Sequence, residues 1–584
     1  MHVRLPDPTL SPPRRRSVAL AIAWGVALAS HAQADVVFAG SEIFIDETLG
    51  LAVAHVPDPG GRIDSTAAEI GVVLGGKRLS IAPGGRDLSR ERRLRSEFDG
   101  RAYALYLTSL PVFAIAPLDS IVDEPKRPAS WTYVDADGTR RGWCGIEVRG
   151  GSTQQYDKKT YDLELWDDPE GSSSTNESFA GLRRDDDWIL DALYNEPLRL
   201  RSHVAHRLWL DLHVPHYRSD APEARAGADV RFVEVFVGGS YRGVYNLSEQ
   251  VDRKLLQLER PASTGEPRGE LWKGSSWGEA TQFLSAPTFS PRATWWHGQE
   301  AKYPADEPPV VWDDLWEATE LVTGGSDGRF ARDIAAAYAL DNVGDYYLFL
   351  NLLYALDNNG KNVYTARVDR GAPYFFVPWD LDGVFGLEWR GLRVTDAEGI
   401  LTGTLYERLR EADVDGYNRR LADRWGQLRE GILDTDALQE RFRSAYGRFA
   451  RELLYEREAL TAGNAPFDEE ELAFTLDWIA RRVAFLDRHF AAIGATSGAE
   501  PRRGPEGGLT VVPNPFGSTL TALAPPGGRT PARYALYDVS GVAIASGRVP
   551  PGGVLEFGSV RPGAYVLETE DADGLTRRAR VVKR

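Results

Sequence analysis

The chain has 584 residues, 42% apolar and 26% charged, a globular composition long enough for two to four domains with sizeable cores. A net charge of −17 argues against a nucleic-acid partner, which needs a basic footprint. The single cysteine, Cys144, excludes an intrachain disulfide and a cysteine-based zinc site.

Residues 1–34 have the pattern of a secretory signal. Arg14-Arg15-Arg16 are the basic start, Ser17 to Ser30 the apolar stretch, and Ala32-Gln33-Ala34 a small-x-small cleavage site before Asp35. The apolar run is too short for a comfortable membrane span, and no other stretch is a candidate. Export is therefore expected, to the cell surface or beyond, with no transmembrane span in the mature chain. Residues 35–125 alternate short apolar runs with Gly, Pro and Asp turns, which predicts a β-rich N-terminal extension.

From 126 to 256 the sequence is more informative. Trp143 to Val148 reads as a strand, Arg149-Gly150-Gly151-Ser152 as a turn, and Lys158 to Trp166 as a second, strictly alternating strand. Parity places Lys159 on the face of Tyr161, Leu163 and Leu165. Lysine is rare here, nine against 59 arginines, so the Lys158-Lys159 doublet stands out. A Gly/Ser turn followed by a strand lysine is an arrangement that holds nucleotide phosphates; the alternative is an ordinary hairpin with a solvated lysine pair. Leu198 to Leu212 has helical spacing, and His203 and His206 on it, with no third ligand in sight, read as core or solvated rings rather than a metal pair. Two further strands, Phe232 to Val237 and Gly243 to Leu247, lead into the polar connector Ser248-Glu249-Gln250.

Residues 261–333 are rich in Pro, Gly and Trp and read as an insertion of loops and short helices. Lys273 lies there, and spacing gives it no role. A helix from Asp341, with Tyr346, Phe349, Leu350 and Leu353 on its apolar face, would set Asp357 at its end. Next comes D-N-N-G-K-N-V-Y, then Y-F-F-V-P-W-D-L-D-G-V-F-G, whose strand delivers Asp380 and Asp382 into a loop. Asp357 and Asn362 are five apart, the separation of Asp and Asn in the protein-kinase catalytic loop, although the His and Arg of that motif are absent. Such parts suit phosphoryl transfer: one carboxylate to orient a hydroxyl, and oxygen ligands from two loops for a divalent metal. D-x-D-G by itself is weak, since it occurs four times and favours turns. Only the copy at 380–383 follows an apolar strand and an Asp-x4-Asn loop. Helices follow, one marked by Leu438, Phe442, Tyr446 and Phe449, another by Leu472, Leu476, Ile479, Val483, Leu486 and Phe490. Residues 496–508 read as a linker, and 509–584 as a separate all-β unit.

With these stretches in hand, the middle of the chain resembles the CotH kinase family. The matching stretches are R-G-G-S-T…K-K-T-Y-D-L-E-L at 149–165, D-W-I-L-D-A-L-Y…L-R-L-R at 187–201, V-E-V-F-V-G-G-S-Y-R-G-V-Y-N-L-S-E-Q-V-D-R at 233–253, and the two acidic loops, in the family's order. This chain has Arg-Gly-Gly-Ser where the family usually shows Arg-Gly-Asn-Ser. The resemblance implies an α+β fold: a two-lobed atypical protein-kinase-like domain over 126–495, with a β-rich N-lobe and a helical C-lobe. The extension would flank it on one side and a C-terminal β-sandwich on the other. It also implies ATP-dependent phosphorylation of Ser or Thr in a protein substrate, with Mg²⁺ or Mn²⁺. Asp357 would be the catalytic carboxylate, and Asn362, Asp380 and Asp382 the metal ligands. Lys158 or Lys159, Arg149, Gly150, Gly151, Ser152 and Glu249 would serve nucleotide binding. The tail, with V-V-P-N-P-F at 511–516, Y-A-L-Y-D-V-S-G at 534–541 and R-P-G-A-Y-V-L at 561–567, resembles the sorting domain of the type IX secretion system, implying that machinery as a partner. Two alternatives remain from other classes. One is a catalytically silent kinase-like scaffold or adhesin. The other is a carbohydrate-active protein whose acids and 16 tryptophans line a sugar groove.

Overall fold

The alternation at Tyr161, Leu163 and Leu165 is realised in a closed seven-stranded barrel, where these side chains point inward and are buried. The computed structural model describes residues 33–583 apart from 39–40, 58–68, 82–87, 305, 462–468, 497–509, 513–515, 524–530, 539–541, 551–552 and 572–575. Most of the expected leader, nearly all of the linker and the Pro-Asn-Pro of the tail motif therefore lie outside the described residues.

In spatial order the barrel strands are Gly138–Arg149, Thr160–Trp166, Asp187–Asp191, Ser240–Glu249, Val230–Val237, Val112–Pro117 and Arg127–Asp135. Its interior is filled by Phe113, Trp131, Tyr133, Cys144, Ile146, Trp188, Val233 and Leu247, with Phe179 from the 167–186 connection wedged among the rings. Cys144 is a buried apolar side chain, its thiol pushed up to about 12 by burial. The closing strand, Val112–Pro117, falls inside the stretch read as the extension. It pairs in parallel with Val230–Val237, so the barrel begins before residue 126. A partner more than a hundred residues away leaves no local sequence signal.

The preceding strands form a seven-stranded sheet of their own, from Gln33–Phe38 to Arg101–Thr108. It packs on the barrel through Leu51, Val53 and Tyr106 against Phe236 and Tyr241, and Asp46 accepts the Tyr241 N–H at 2.9 Å.

A five-stranded sheet lies between the barrel and the helices: Trp295–Trp296, Gln299–Tyr303, Glu270–Gly274, Val363–Arg367 and Phe375–Pro378. Three of these strands come from the 261–333 stretch, which reads from sequence as loops and short helices; it also carries the helix Asp313–Thr323 and the start of Asp327–Ala337. The helix Leu340–Leu353 packs beside it with 13 of its 14 residues buried, so it is covered on every side and not along one stripe. The long helix Glu469–Thr496 buries Trp478, Ile479, Val483, Leu486 and Phe490, following the spacing read from sequence. Among the described residues there are ten α-helices and a mixed α+β architecture. The tail consists of a three-stranded and a four-stranded sheet sharing a core that includes Leu520, Leu536, Leu555, Leu567 and Val581.

Candidate active site

Two loops meet where the helix Leu340–Leu353 ends. Tyr354 takes a left-handed conformation (φ 52°) and closes the helix. A 3-10 turn, Asp357–Asn359, follows. Asn358 is buried and holds both loops: its Nδ2 donates to the Asn362 carbonyl at 2.8 Å and to the Trp379 carbonyl at 2.7 Å. Tyr346 donates its hydroxyl to the Asn358 carbonyl at 2.8 Å. Asn362 donates its backbone N–H to Gly274 at 2.7 Å and accepts that of Trp379 at 3.1 Å. Asn362 (φ 53°) and Asp380 (φ 54°) both sit in the left-handed region, which Asn and Asp tolerate better than other non-glycine residues. Gly360 has a different reason to be glycine. A Cβ there would come within 2.6 Å of the Trp277 ring and 2.7 Å of Gln282.

This framework brings Asp357, Asp380 and Asp382 to one crevice and adds Asp191 from the barrel strand Asp187–Asp191. Asp191 is pushed up to about 6, first by burial and then by the negative charge of Asp380. Burial also raises Asp382 well above the carboxylate range, helped by Asp380, Asp191 and Asp357. Asp380 is raised by burial and by Asp357, against the pull of Lys273, Lys361 and Arg149. Its side chain is exposed by area yet ringed by protein, as expected at the mouth of a crevice. No described protein group bonds the Asp380 carboxylate or the Asn362 side-chain amide. Lys361 forms an ion pair with Asp357 at 3.3 Å. Arg149 bonds Asp162 and lies 5.7 Å from the Trp379 ring centre.

Other expected positions lie elsewhere. Lys159 does not share the inward face of the strand. Regular pairing starts at Thr160, and the Lys159 amine turns back to donate to the Gln154 carbonyl at 2.7 Å. Lys158 is the buried member of the doublet, and its Nζ donates to the Val244 carbonyl at 2.6 Å and to Glu458 at 2.7 Å. Burial lowers Lys158 to about 8, while Lys158 and Arg199 hold Glu458 below the usual range against its own burial. Gly243, at φ 89°, leaves room for this pair, since a Cβ there would lie 1.9 Å from a Glu458 oxygen. Glu249 is outside the crevice, its oxygens accepting the N–H groups of Arg183 at 2.9 Å and Asp229 at 3.0 Å. Gly150 and Gly151 lead into the 3-10 turn Ser152–Gln155 between the two barrel strands.

Among the described residues, the one trio of acids with oxygens all within 4.8 Å of one another is Asp185, Asp186 and Asp187. The Lys254 ammonium already occupies it, 2.5 Å from Asp185 and Asp186 and 3.6 Å from Asp187. His203 stacks on Phe232 and bonds Asn246, while His206 packs near Trp379, so the two rings do not converge on a common point. Asp137 donates its N–H to Asp135, making that D-x-D-G a turn. A cavity of about 660 Å³ lies between the N-terminal sheet and the barrel, lined by residues such as Lys77, Phe98 and Arg101 and by none of the crevice residues.

No site role was read from sequence for Asn358, Asp191 or Lys273. Asn358 and Asp191 were visible only as letters of D-N-N-G and D-W-I-L-D-A-L-Y, and Lys273 only as a rare lysine whose spacing gave it no role, because strand pairing between distant segments brings Asp191 and Lys273 to the crevice.

The chain is a mixed α+β protein with acidic and basic side chains gathered near the junction of a barrel and a second sheet. More specifically, the family model described as CotH kinase protein matches residues 146–486, more than half of the chain, and the chain belongs to this family. Membership suggests a kinase-like function with use of ATP and a divalent metal. No curated protein matches the chain. Among the described residues no helix is long and apolar enough to cross a membrane.

Proposed function

We propose that the chain is an exported atypical protein kinase that transfers the γ-phosphate of ATP to Ser or Thr hydroxyls of surface or extracellular proteins. The observation that carries this reading is the junction of two acidic loops, pinned by Asn358, with Asp357 and Asp380 acting on each other's charge in a crevice also reached by Lys273, Lys361 and Arg149. In this reading the barrel is the nucleotide-side lobe and the helical body the substrate-side lobe. The resemblances of residues 1–34 and of the tail support export, with type IX secretion as the route.

Asp357 orients the acceptor hydroxyl and takes its proton as the oxygen bonds to the γ-phosphorus. The bond from that phosphorus to the β–γ bridging oxygen breaks, and ADP leaves with the electron pair. The metal site fits a hard cation: Asn362 and Asp380 offer oxygens that no described protein group bonds, and Asp382 adds a third. Bound there, Mg²⁺ or Mn²⁺ would supply neutralisation of phosphate charge. Most of the rate gain would come from holding the reactants and from fixed charges, as the loose transition state of phosphoryl transfer requires.

The test is to incubate the chain from Asp35 onward with ATP and Mn²⁺ or Mg²⁺ and to search it and candidate surface proteins for added phosphate by mass spectrometry. Asp357→Ala is expected to abolish transfer, by a factor on the order of 10³ or more, with the melting temperature kept. Unchanged autophosphorylation in that variant would remove Asp357 from the role.

A further inference from the structure

We propose that Lys273 is the cation that receives the nucleotide's polyphosphate, an inference that rests on the kinase reading above. Lys273 lies on Glu270–Gly274, the central strand of the five-stranded sheet, opposite Glu300 on one neighbour and Tyr364 on the other. Strand alternation sends Trp272 into the core, where it stacks on Trp312 at 4.5 Å, and turns Leu271 and Lys273 to the other face. That face carries Leu271, Tyr364 and Trp379, in one apolar cluster with Ile189 of the barrel, and Arg149 reaches Trp379 from the barrel side. The next residue, Gly274, accepts the Asn362 N–H at 2.7 Å. Lys273 is therefore placed one residue from the backbone that positions a proposed metal ligand.

Its surroundings do not satisfy it. Among the described residues the Lys273 ammonium has no hydrogen bond and no carboxylate within ion-pair distance, although Asp380 and Glu300 attract it from farther off. Burial favours the neutral amine, and Arg149 and Lys302 act in the same direction by repelling the charged form. Lys273 is thus a half-buried amine that feels the charges of Arg149 and Asp380 and has no acceptor of its own among the described residues. The Lys158 amine already donates to Glu458 and the Val244 carbonyl, whereas Lys273 has neither kind of partner. Triphosphate oxygens would supply the missing acceptors, held by Lys273 from the five-stranded sheet and by Arg149 from the barrel.

The experiment uses the mature chain with Lys273→Ala, Lys273→Gln and Lys273→Arg, plus Lys302→Ala as a nearby charge control. Tripolyphosphate without metal and ATP with Mn²⁺ are titrated by thermal shift, and KM for ATP is separated from kcat in the transfer assay. The expected result is a loss of tripolyphosphate affinity of about ten- to hundredfold in Lys273→Ala and Lys273→Gln, the range of a lost charged hydrogen bond. A matching rise in KM, an unchanged melting temperature without ligand, partial recovery in Lys273→Arg and wild-type behaviour in Lys302→Ala complete the expectation. Wild-type affinity and KM in Lys273→Gln would overturn the assignment and leave the kinase reading standing, as would an equal loss in Lys302→Ala. If the wild-type chain neither gains stability from ATP with Mn²⁺ nor transfers phosphate, the kinase reading fails and the assignment falls with it.

Discussion

Two charged clusters lie inside this protein, and they are built on opposite plans. In the first, the short helix Leu454–Glu458 is fixed to the barrel. Arg457 and Glu234, both fully buried, meet through two 2.6 Å contacts, and Tyr241 donates to the same glutamate at 2.6 Å. Next to Arg457, Glu458 accepts Lys158, Arg199 and the Val244 N–H. Each of these carboxylates is answered by cations and by hydrogen bonds, as buried charge requires. In the crevice, Asp191, Asp357, Asp380 and Asp382 crowd one another, with only the partly exposed Lys361 in direct contact, on Asp357, while Lys273 touches none of them. Such an arrangement costs stability and contributes nothing to holding the chain together. The matched cluster joins the helix Leu454–Glu458 to the barrel; the other is the site proposed above.

Arg457→Ala should break the comparison most severely. Removing one partner leaves Glu234 buried and uncompensated, and a loss of about 3–5 kcal/mol is expected in denaturant or thermal unfolding. A loss under about 1 kcal/mol would show that the helix is held by its apolar contacts and that the ion pair is incidental.

Acid should separate the two plans by sign. His203 and His206 lie on the helix Arg201–Leu212, and burial lowers them to about 3 and about 4. As pH falls below the unfolded value near 6.5, the unfolded chain takes protons first, so stability drops until the folded rings titrate. Between pH 7 and 4.5 this amounts to up to about 3 kcal/mol per ring. The crevice works the other way: Asp191 sits near 6, so its contribution is present at low pH and is lost as pH rises through 6. His203→Gln should flatten the acid loss in thermal melts, whereas Asp191→Asn should steepen it by removing the compensating term. If both variants show the wild-type slope, neither group controls it.

Asp380→Asn tests the crevice alone. Transfer should fall at least about a hundredfold, equivalent to about 2.7 kcal/mol, while the melting temperature without ligand stays level or rises because a repelling charge is gone. A melting temperature that falls with activity would place Asp380 with the matched, structural charges.

What could be read from sequence follows the range of the interactions. Local periodicity located the alternating barrel strands, the long helix ending at Thr496 and the two acidic loops, because spacing is written into neighbouring residues. Pairing between distant segments was not legible. Val112–Pro117 reads like any short apolar run until Val230–Val237 lies beside it, and the strand carrying Lys273 looked like part of a Pro- and Trp-rich insertion. The parity argument for Lys159 failed for a related reason, since alternation holds only while the ladder continues and regular pairing begins one residue later. Asp357, Asn362, Asp380 and Asp382 were legible because one hairpin carries them. Asp191 and Glu458, more than 75 residues from any of these four, were not.

Lys361 gives the smallest effect and the finest discrimination. It pairs with Asp357 at 3.3 Å, four residues along one loop, with both side chains partly exposed. An ion pair of this kind is worth about 0–1 kcal/mol, so Lys361→Ala should move stability by no more than that. Its position is what gives it weight: the same amine also attracts Asp380, and so belongs to the crevice as much as to the loop. Removing it should cost transfer several-fold while stability barely changes, and Lys361→Arg should recover part of the loss. Equal small changes in both measurements would reduce Lys361 to a surface charge and leave Lys273 and Arg149 as the cations that matter in the crevice.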